Sequence, residues 1–150
     1  MGRKFTEKDT KAFLRSITDF ERKNVETEIQ ILQLRAVAES CTVTTDKDPV
    51  QSGGNDKMAS IVGRIVDLER EIEGRKKIIN HRRAEVEEIA KSMDNASHRA
   101  YMTIRYVEGN GFYDTLMKMD LSNSAAKRIN RKSITEFTKR YNEKHTDHNI

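Results

Sequence analysis

Between residues 58 and 93 the apolar side chains return every third or fourth position: Met58, Ile61, Ile65, Leu68, Ile72, Ile79, Val86, Ile89 and Met93, with Arg75 and Arg82 in the same register. Sustained over about five heptads, that period predicts one long α-helix with a single apolar seam, since a half-buried strand would alternate with period two. Fully helical, the segment would be roughly 54 Å long. Gly74 weakens it by roughly 1 kcal/mol relative to Ala, and its tightest apolar part is residues 58–72. A second seam precedes it: Phe13, Ile17, Phe20, Asn24, Thr27, Ile31, Leu34, Ala38 and Cys41, with Leu14, Val25 and Leu32 widening the stripe. Asn24 and Thr27 interrupt this seam and are read as facing solvent at a bend; the other reading is that they fix register. Arg75 and Arg82 are expected to snorkel or to pair with glutamates of a partner chain. Residues 42–55 hold the only proline and a Gly-Gly pair, show no period, and read as a connector.

The chain is therefore expected to be all-α, with a long antiparallel helical hairpin (coiled coil) over residues 10–93, followed by a small three-helix domain. Two exposed helices bury little surface, so the hairpin is expected to self-associate as a homodimer or higher homo-oligomer through Ile61, Ile65, Leu68 and Ile72.

Residues 94–141 form the expected second domain. Asp94 or Asn95 should cap a helix that places Ala100, Ile104 and Val107 on one side, and Gly109 and Gly111 should end it. Two further helices meet at a tight joint, Met119-Asp120-Leu121-Ser122. Asp120 occupies a position suited to a left-handed backbone, and Ser122 can cap the last helix. In that helix Ala126, Ile129, Ser133 and Phe137 share one side, while Ser124, Lys127, Arg128 and Arg131 lie nearly opposite. A rod buried on one face and cationic on the other suits the major groove of DNA, though a solvated surface helix has the same pattern.

Charge placement favours the first reading. Residues 95–150 hold ten Lys/Arg against six Asp/Glu, while the remaining residues hold 18 of each, so the net +4 belongs to the C-terminal third. Residues 142–150 are polar and expected to be disordered.

The residues of this region resemble a known family. Arg105-Tyr106-Val107-Glu108-Gly109, Phe112, Met119-Asp120-Leu121-Ser122, Arg128-Ile129 and Ile134 resemble, without gaps, the region-4 helix-turn-helix of sigma-factor-like regulators. Leu116 stands where that family has a small residue and Thr115 where it has an aliphatic one, which puts the interhelical packing angle at issue. The block QSGGNDKMASIVGRIVDLEREIEG, followed by RYVEG, is similar to small phage and prophage proteins of Gram-positive bacteria that pair a coiled coil with such a domain. The closing NRKSITEFTKRY resembles the end of ArpU- and RinA-type late transcription regulators.

The resemblance implies a phage-encoded transcription regulator in the cytoplasm of a bacterial host cell. It would bind double-stranded promoter DNA, with host RNA polymerase as a further partner. On that reading Asn123, Ser124, Lys127 and Arg128 lie nearest base edges, with Arg128 placed for guanine, while Lys118, Ser122, Arg131, Lys132 and Lys139 meet phosphates. The alternatives are a DNA-packaging protein of the small-terminase type and a protein-binding adaptor acting on RNA polymerase.

Catalytic chemistry finds no support in the residues. No carboxylate pair or nucleophile–base motif is recognisable, so an enzyme is not expected, nor is a cofactor. His145 and His148 have ligand types at i and i+3 but no further ligand nearby in sequence, so no metal site is expected. A single cysteine, Cys41, excludes an internal disulfide and suits a reducing compartment. No apolar run approaches the ~20 residues that cross a bilayer, so no membrane contact is expected.

Overall fold

The computed structural model describes residues 3–44 and 52–147, with side chains described for 3–41 and 56–146. Regular structure among them is helical throughout: α1 (Glu7–Thr44), α2 (Ser52–Lys91), α3 (Ala96–Met102) running into a π-helical turn (Thr103–Val107), α4 (Phe112–Met119) and α5 (Asn123–Asp147). Of the expected connector, residues 42–44 and 52–55 are helical and residues 45–51 lie outside the described residues, as do 148–150 of the expected disordered tail. None of the described helices is long and apolar enough to cross a membrane.

The chain divides into two compact units, which do not coincide with the expected boundaries at residues 93 and 94. One is Phe20–Ile78; the other joins Met1–Asp19 to Ile79–Ile150.

In the unit Phe20–Ile78, α1 and α2 run antiparallel. Arg35 reaches Glu69 at 3.1 Å, whereas Asn24, earlier on α1, meets Arg75, later on α2, at 3.2 Å. Ile31, Leu68 and Ile72 form the buried centre, with Leu34 and Ile65 packed against it. Ile61 is buried as well. The four residues expected to hold a second copy, Ile61, Ile65, Leu68 and Ile72, thus occupy the seam facing the chain's own interior.

Asn24 and Thr27 do not face solvent at a bend. They are 7% and 4% exposed, and the Arg75 guanidinium donates to both, at 3.2 Å to Asn24 Oδ1 and 3.1 Å to Thr27 Oγ1. Arg75 also pairs with Glu71 one turn away on its own helix. The arginine that breaks the apolar run of α2 therefore satisfies the two polar residues that break the run of α1. Val25 and Leu32 do not widen the seam either; they are 56% and 63% exposed, because at about 100° per residue they fall round the flank of α1 from Asn24 and Ile31.

In the other unit α1 begins with a reciprocal cap. Thr6 Oγ1 accepts from the Asp9 N–H, and Asp9 Oδ2 accepts from the Thr6 N–H. The bond from the Thr6 backbone, joined by those from Arg3 and the Thr6 hydroxyl, pulls the Asp9 carboxyl down to about 2. Arg82 donates to Ser16 Oγ and lies 5.9 Å from the centre of the Phe13 ring.

Leu14 and Ile17 of α1 and Val86, Ile89, Ala90 and Met93 of the α2 end are buried with Tyr101, Met102 and Tyr106. The buried face of the α3 segment is therefore not Ala100, Ile104 and Val107, which are each only partly covered. The π-turn, closed by Glu108 N–H donating to Thr103 O, rephases the helix, and the aromatic and methionine side chains cover more apolar area than Ala or Val. Burial pushes the Tyr101 hydroxyl up to about 12.

Helix α5 continues through residues 142–147, where a tail was expected. Asn142 exchanges two hydrogen bonds with the Phe5 backbone, each 2.9 Å, and the Tyr141 ring stacks on Phe5 at 4.0 Å. Lys144 pairs with Glu88 and His145 lies 3.5 Å from Glu85. Polar composition in this stretch reflects partners on two other segments, a contact that no local pattern announces.

Two outcomes follow from these contacts. Arg75→Ala removes the donor shared by Asn24 Oδ1 and Thr27 Oγ1 in the seam and should lower unfolding free energy by about 1–3 kcal/mol, measured by urea titration; an unchanged midpoint would remove the polar layer from the stabilising contacts. Glu136 accepts from His98 Nδ1 at 2.6 Å and from the Asp94 N–H at 2.7 Å. Burial opposes its ionisation, yet those bonds together hold its carboxyl below the ordinary 4.5. Its stabilisation is complete above that ordinary value and is lost as pH falls through the depressed one. Glu136→Gln should therefore cost about 1–2 kcal/mol near neutral pH, with the difference from wild type shrinking as the medium is acidified below 4.5. A pH-independent difference would mean the charge contributes nothing.

Candidate nucleic-acid interface

The site is built on α4, the joint and α5. Gly109, at φ 79°, turns the chain out of the π-helical segment. Arg105 steadies the loop beyond it, donating to Asn110 O at 3.2 Å with its guanidinium 5.4 Å from the Tyr106 ring and 5.9 Å from that of Phe112. Asn110 in turn donates from its side chain to Ile104 O at 2.8 Å.

Helix α4 follows with Thr115 and Leu116 turned inward. The Thr115 hydroxyl donates to Gly111 O at 2.8 Å, so a polar residue at an aliphatic position is buried with its hydrogen bond made inside its own helix.

At the joint, Asp120 adopts φ 53°, ψ 53°, the left-handed conformation expected of it. Its N–H donates to Met117 O at 3.3 Å and the Leu121 N–H to Leu116 O at 2.9 Å, a paired closure that satisfies carbonyls at the end of α4. The Ser122 hydroxyl accepts from the Ala125 N–H at 3.2 Å, capping α5. Two residues thus set the angle between the helices, one by its backbone and one by its side chain.

Helix α5 is held from behind. Ala126, Ser133, Ile134, Phe137 and Thr138 are buried, and Ile129 is partly covered. Glu136 spans to the start of α3, whose N-terminus Asn95 caps by accepting from the Ser97 and His98 N–H groups. Thr138 meets Thr10 of α1 through their hydroxyls, and Thr135 donates to Glu7 at 2.8 Å.

Every residue expected to touch DNA is exposed: Asn123, Ser124, Lys127 and Arg128 along the first half of α5, with Lys118, Ser122, Arg131, Lys132 and Lys139 around and beyond them. None of the six cations in this set forms an ion pair among the described residues. Arg140 and Lys144, on the same helix, are different. They pair with Asp94 and Glu143 and with Glu88, so their charge is spent on packing. Lys139 lies roughly 24 Å along the axis from Asn123, beside Lys4 in a shallow groove, well separated from Lys127 and Arg128.

A further set belongs to this surface and was not among the expected contacts. Lys8, Lys11 and Arg15 are exposed on α1, spaced three and four apart. On the helix they follow Glu7, the residue that reaches Thr135, around the side away from Thr10. They therefore lie on the flank of α1 that continues from Glu7, the residue bonded to Thr135 of α5. Their spacing was visible, but a charge count by contiguous segment hid them, because the first 19 residues fold with the C-terminal ones. Met1–Asp19 with Ile79–Ile150 carries 18 Lys/Arg against 13 Asp/Glu, a net of +5. Tyr113 and Met117, 70% and 80% exposed, form an apolar pair on α4 one turn apart.

What the arrangement offers is a row of unpaired cations and two small polar side chains at the head of a helix; no three His, Cys, Asp or Glu among the described residues could hold a metal ion. The chain belongs to the family described as protein of unknown function (DUF1492), whose profile matches residues 37–138. That match takes in the end of α1, all of α2 to α4 and most of α5. No curated protein and no solved structure matches the chain.

The left-handed joint makes its own demand. Asp120→Gly should hold or raise the melting temperature, whereas Asp120→Val, β-branched at positive φ, should cost about 1–2 kcal/mol. Thermal melts of the two variants would show equal stability if the joint were unstrained.

Proposed function

We propose that this protein binds double-stranded DNA by a helix-turn-helix, α4–joint–α5, with the first half of α5 in the major groove, and that it serves as a phage-encoded transcription regulator. One observation carries the reading: six cations on and beside α5 stay exposed and unpaired among the described residues while the helix behind them is buried and pinned. Charges left in solvent without partners are free to displace counterions from a phosphate backbone.

Asn123, Ser124, Lys127 and Arg128 would read base edges, Arg128 by a paired bond to guanine. Lys118, Ser122, Arg131, Lys132 and Lys139, joined by Lys8, Lys11 and Arg15, would hold phosphates. The regulatory role and the phage origin draw on the likeness of residues 105–134 to sigma region 4 and of residues 51–109 to phage proteins.

A second reading, an adaptor binding RNA polymerase, is favoured by exposed Tyr113 and Met117, an apolar pair that DNA contact alone does not require.

Selection from a random duplex pool, followed by anisotropy titration at several salt concentrations, tests the proposal. Arg128→Ala should relax preference at one base position and cost about 1–3 kcal/mol on the selected site. Lys132→Ala and Lys11→Ala should weaken selected and random duplexes alike and flatten the salt slope by about one unit each. Failure to enrich any sequence, with no salt-dependent binding, rejects the DNA reading. Capture of polymerase lost in Tyr113→Ala/Met117→Ala, with duplex affinity unchanged, would establish the adaptor.

A further inference from the structure

Helix α1 carries two apolar seams. The inner one is buried against α2 of the same chain. The outer one is Val25, Ile29 and Leu32, 56%, 50% and 63% exposed, continued by exposed Ala36. Spacings of four, three and four bring these side chains within roughly 60° of one another around the helix, nearly opposite Asn24, Thr27, Ile31 and Leu34. Large aliphatic residues scattered singly over a surface need no explanation, but a contiguous stripe at heptad spacing does.

We propose that the stripe is covered by a second copy of this chain, with the two α1 helices packed antiparallel about a twofold axis. The register that sets Ile29 opposite the partner's Leu32 also sets Val25 opposite the partner's Ala36, so large side chains meet at the axis and a medium one meets a small one on either side. The charges flanking the stripe select this direction. Antiparallel pairing places Glu28 beside the partner's Arg35, and symmetry repeats the pair. Parallel pairing would place Glu28 beside Gln33 and Glu21 beside Glu26, trading two attractions for two repulsions.

Arg35 can serve both roles. Its side chain is 55% exposed while one of its nitrogens reaches Glu69, and a guanidinium has five N–H donors. The stripe is short beside a standard interface of about 800 Å² per partner, so the complex is a weak one, with a dissociation constant in the micromolar range. The seam residues Ile61, Leu68 and Ile72 take no part, being buried within the chain.

Sedimentation of the full chain over about 1 µM to 1 mM tests this. Wild type should pass from monomer to dimer across that range. I29K/L32K, which brings like charges face to face at the axis, should remain monomeric with wild-type helicity and melting, since both positions are exposed. E28R should weaken the dimer about tenfold, and E28R/R35E should restore it, a rescue that parallel packing cannot give. A wild type monomeric throughout, an I29K/L32K variant that dimerises like wild type, or a double charge reversal no better than E28R each overturns the proposal. Should I29K/L32K unfold, the charge-reversal pair decides alone.

Discussion

The geometry of the candidate interface depends on how α5 is divided between protein and solvent. Ala126, Ser133 and Phe137 line one side and are almost wholly covered. With that side committed, Lys127, Arg128, Arg131 and Lys132 can only point outward, since an unpaired ammonium or guanidinium in the interior would cost several kcal/mol. Glu136 fixes where along its length the helix sits, by bonding at once to His98 and to the Asp94 backbone. Asp120 and Ser122 then fix the angle at which α5 leaves α4. The cations are presented by a rod gripped at its start, its middle and, through Asn142 and Phe5, its far end.

The hairpin unit answers a different problem. Two long helices with aliphatic seams could slide by a heptad at little cost, because one Ile–Leu contact resembles the next. The Asn24–Thr27–Arg75 layer opposes that freedom: any slip would break the cross-helix bonds of Arg75 to Asn24 and Thr27 and leave the Asn24 amide in the seam without its partners. Apolar burial by Ile31, Leu68 and Ile72 supplies the stability, and the polar layer supplies the alignment. A seam settled in this way leaves the outer stripe of α1 as an apolar surface of that unit, besides exposed Val37, Val62, Val66 and Ile78.

Much of this architecture is legible in the residues alone. Three- and four-residue spacing locates α1, α2 and α5, and single residues locate the special points: Asp94 or Asn95 as a cap, which the structure settles as Asn95, Asp120 as the left-handed joint, Ser122 as the start of α5. The buried face of α5 is legible because Ala126, Ser133 and Phe137 stand opposite a cluster of cations. Elsewhere periodicity misleads. Val25 and Leu32 are apolar at nearly helical spacing from the seam, yet hydrophobicity does not say which of two apolar stripes meets the neighbouring helix. After α3 the π-turn inserts a phase shift that no residue type signals, and Tyr106 is buried there while Ile104 and Val107 are only partly covered; ahead of it the larger Tyr101 and Met102 are buried rather than Ala100.

By itself the sequence determined an all-α fold, breaks near residues 93–95, 109–111 and 119–122, and that one amphipathic helix near its end carries cations opposite a buried stripe. These follow from backbone sterics and side-chain period, which act over a few residues. Only the tertiary structure decided that the first 19 residues join the C-terminal unit, adding Lys8, Lys11 and Arg15 to its charge, and that α5 runs on through Asp147. The contacts responsible, Phe5 with Asn142, Glu7 with Thr135 and Thr10 with Thr138, link residues 128 to 137 positions apart. Pairings at such separation leave no period in the chain, because each is specified by shape and hydrogen bonding between surfaces that exist only once both helices have formed.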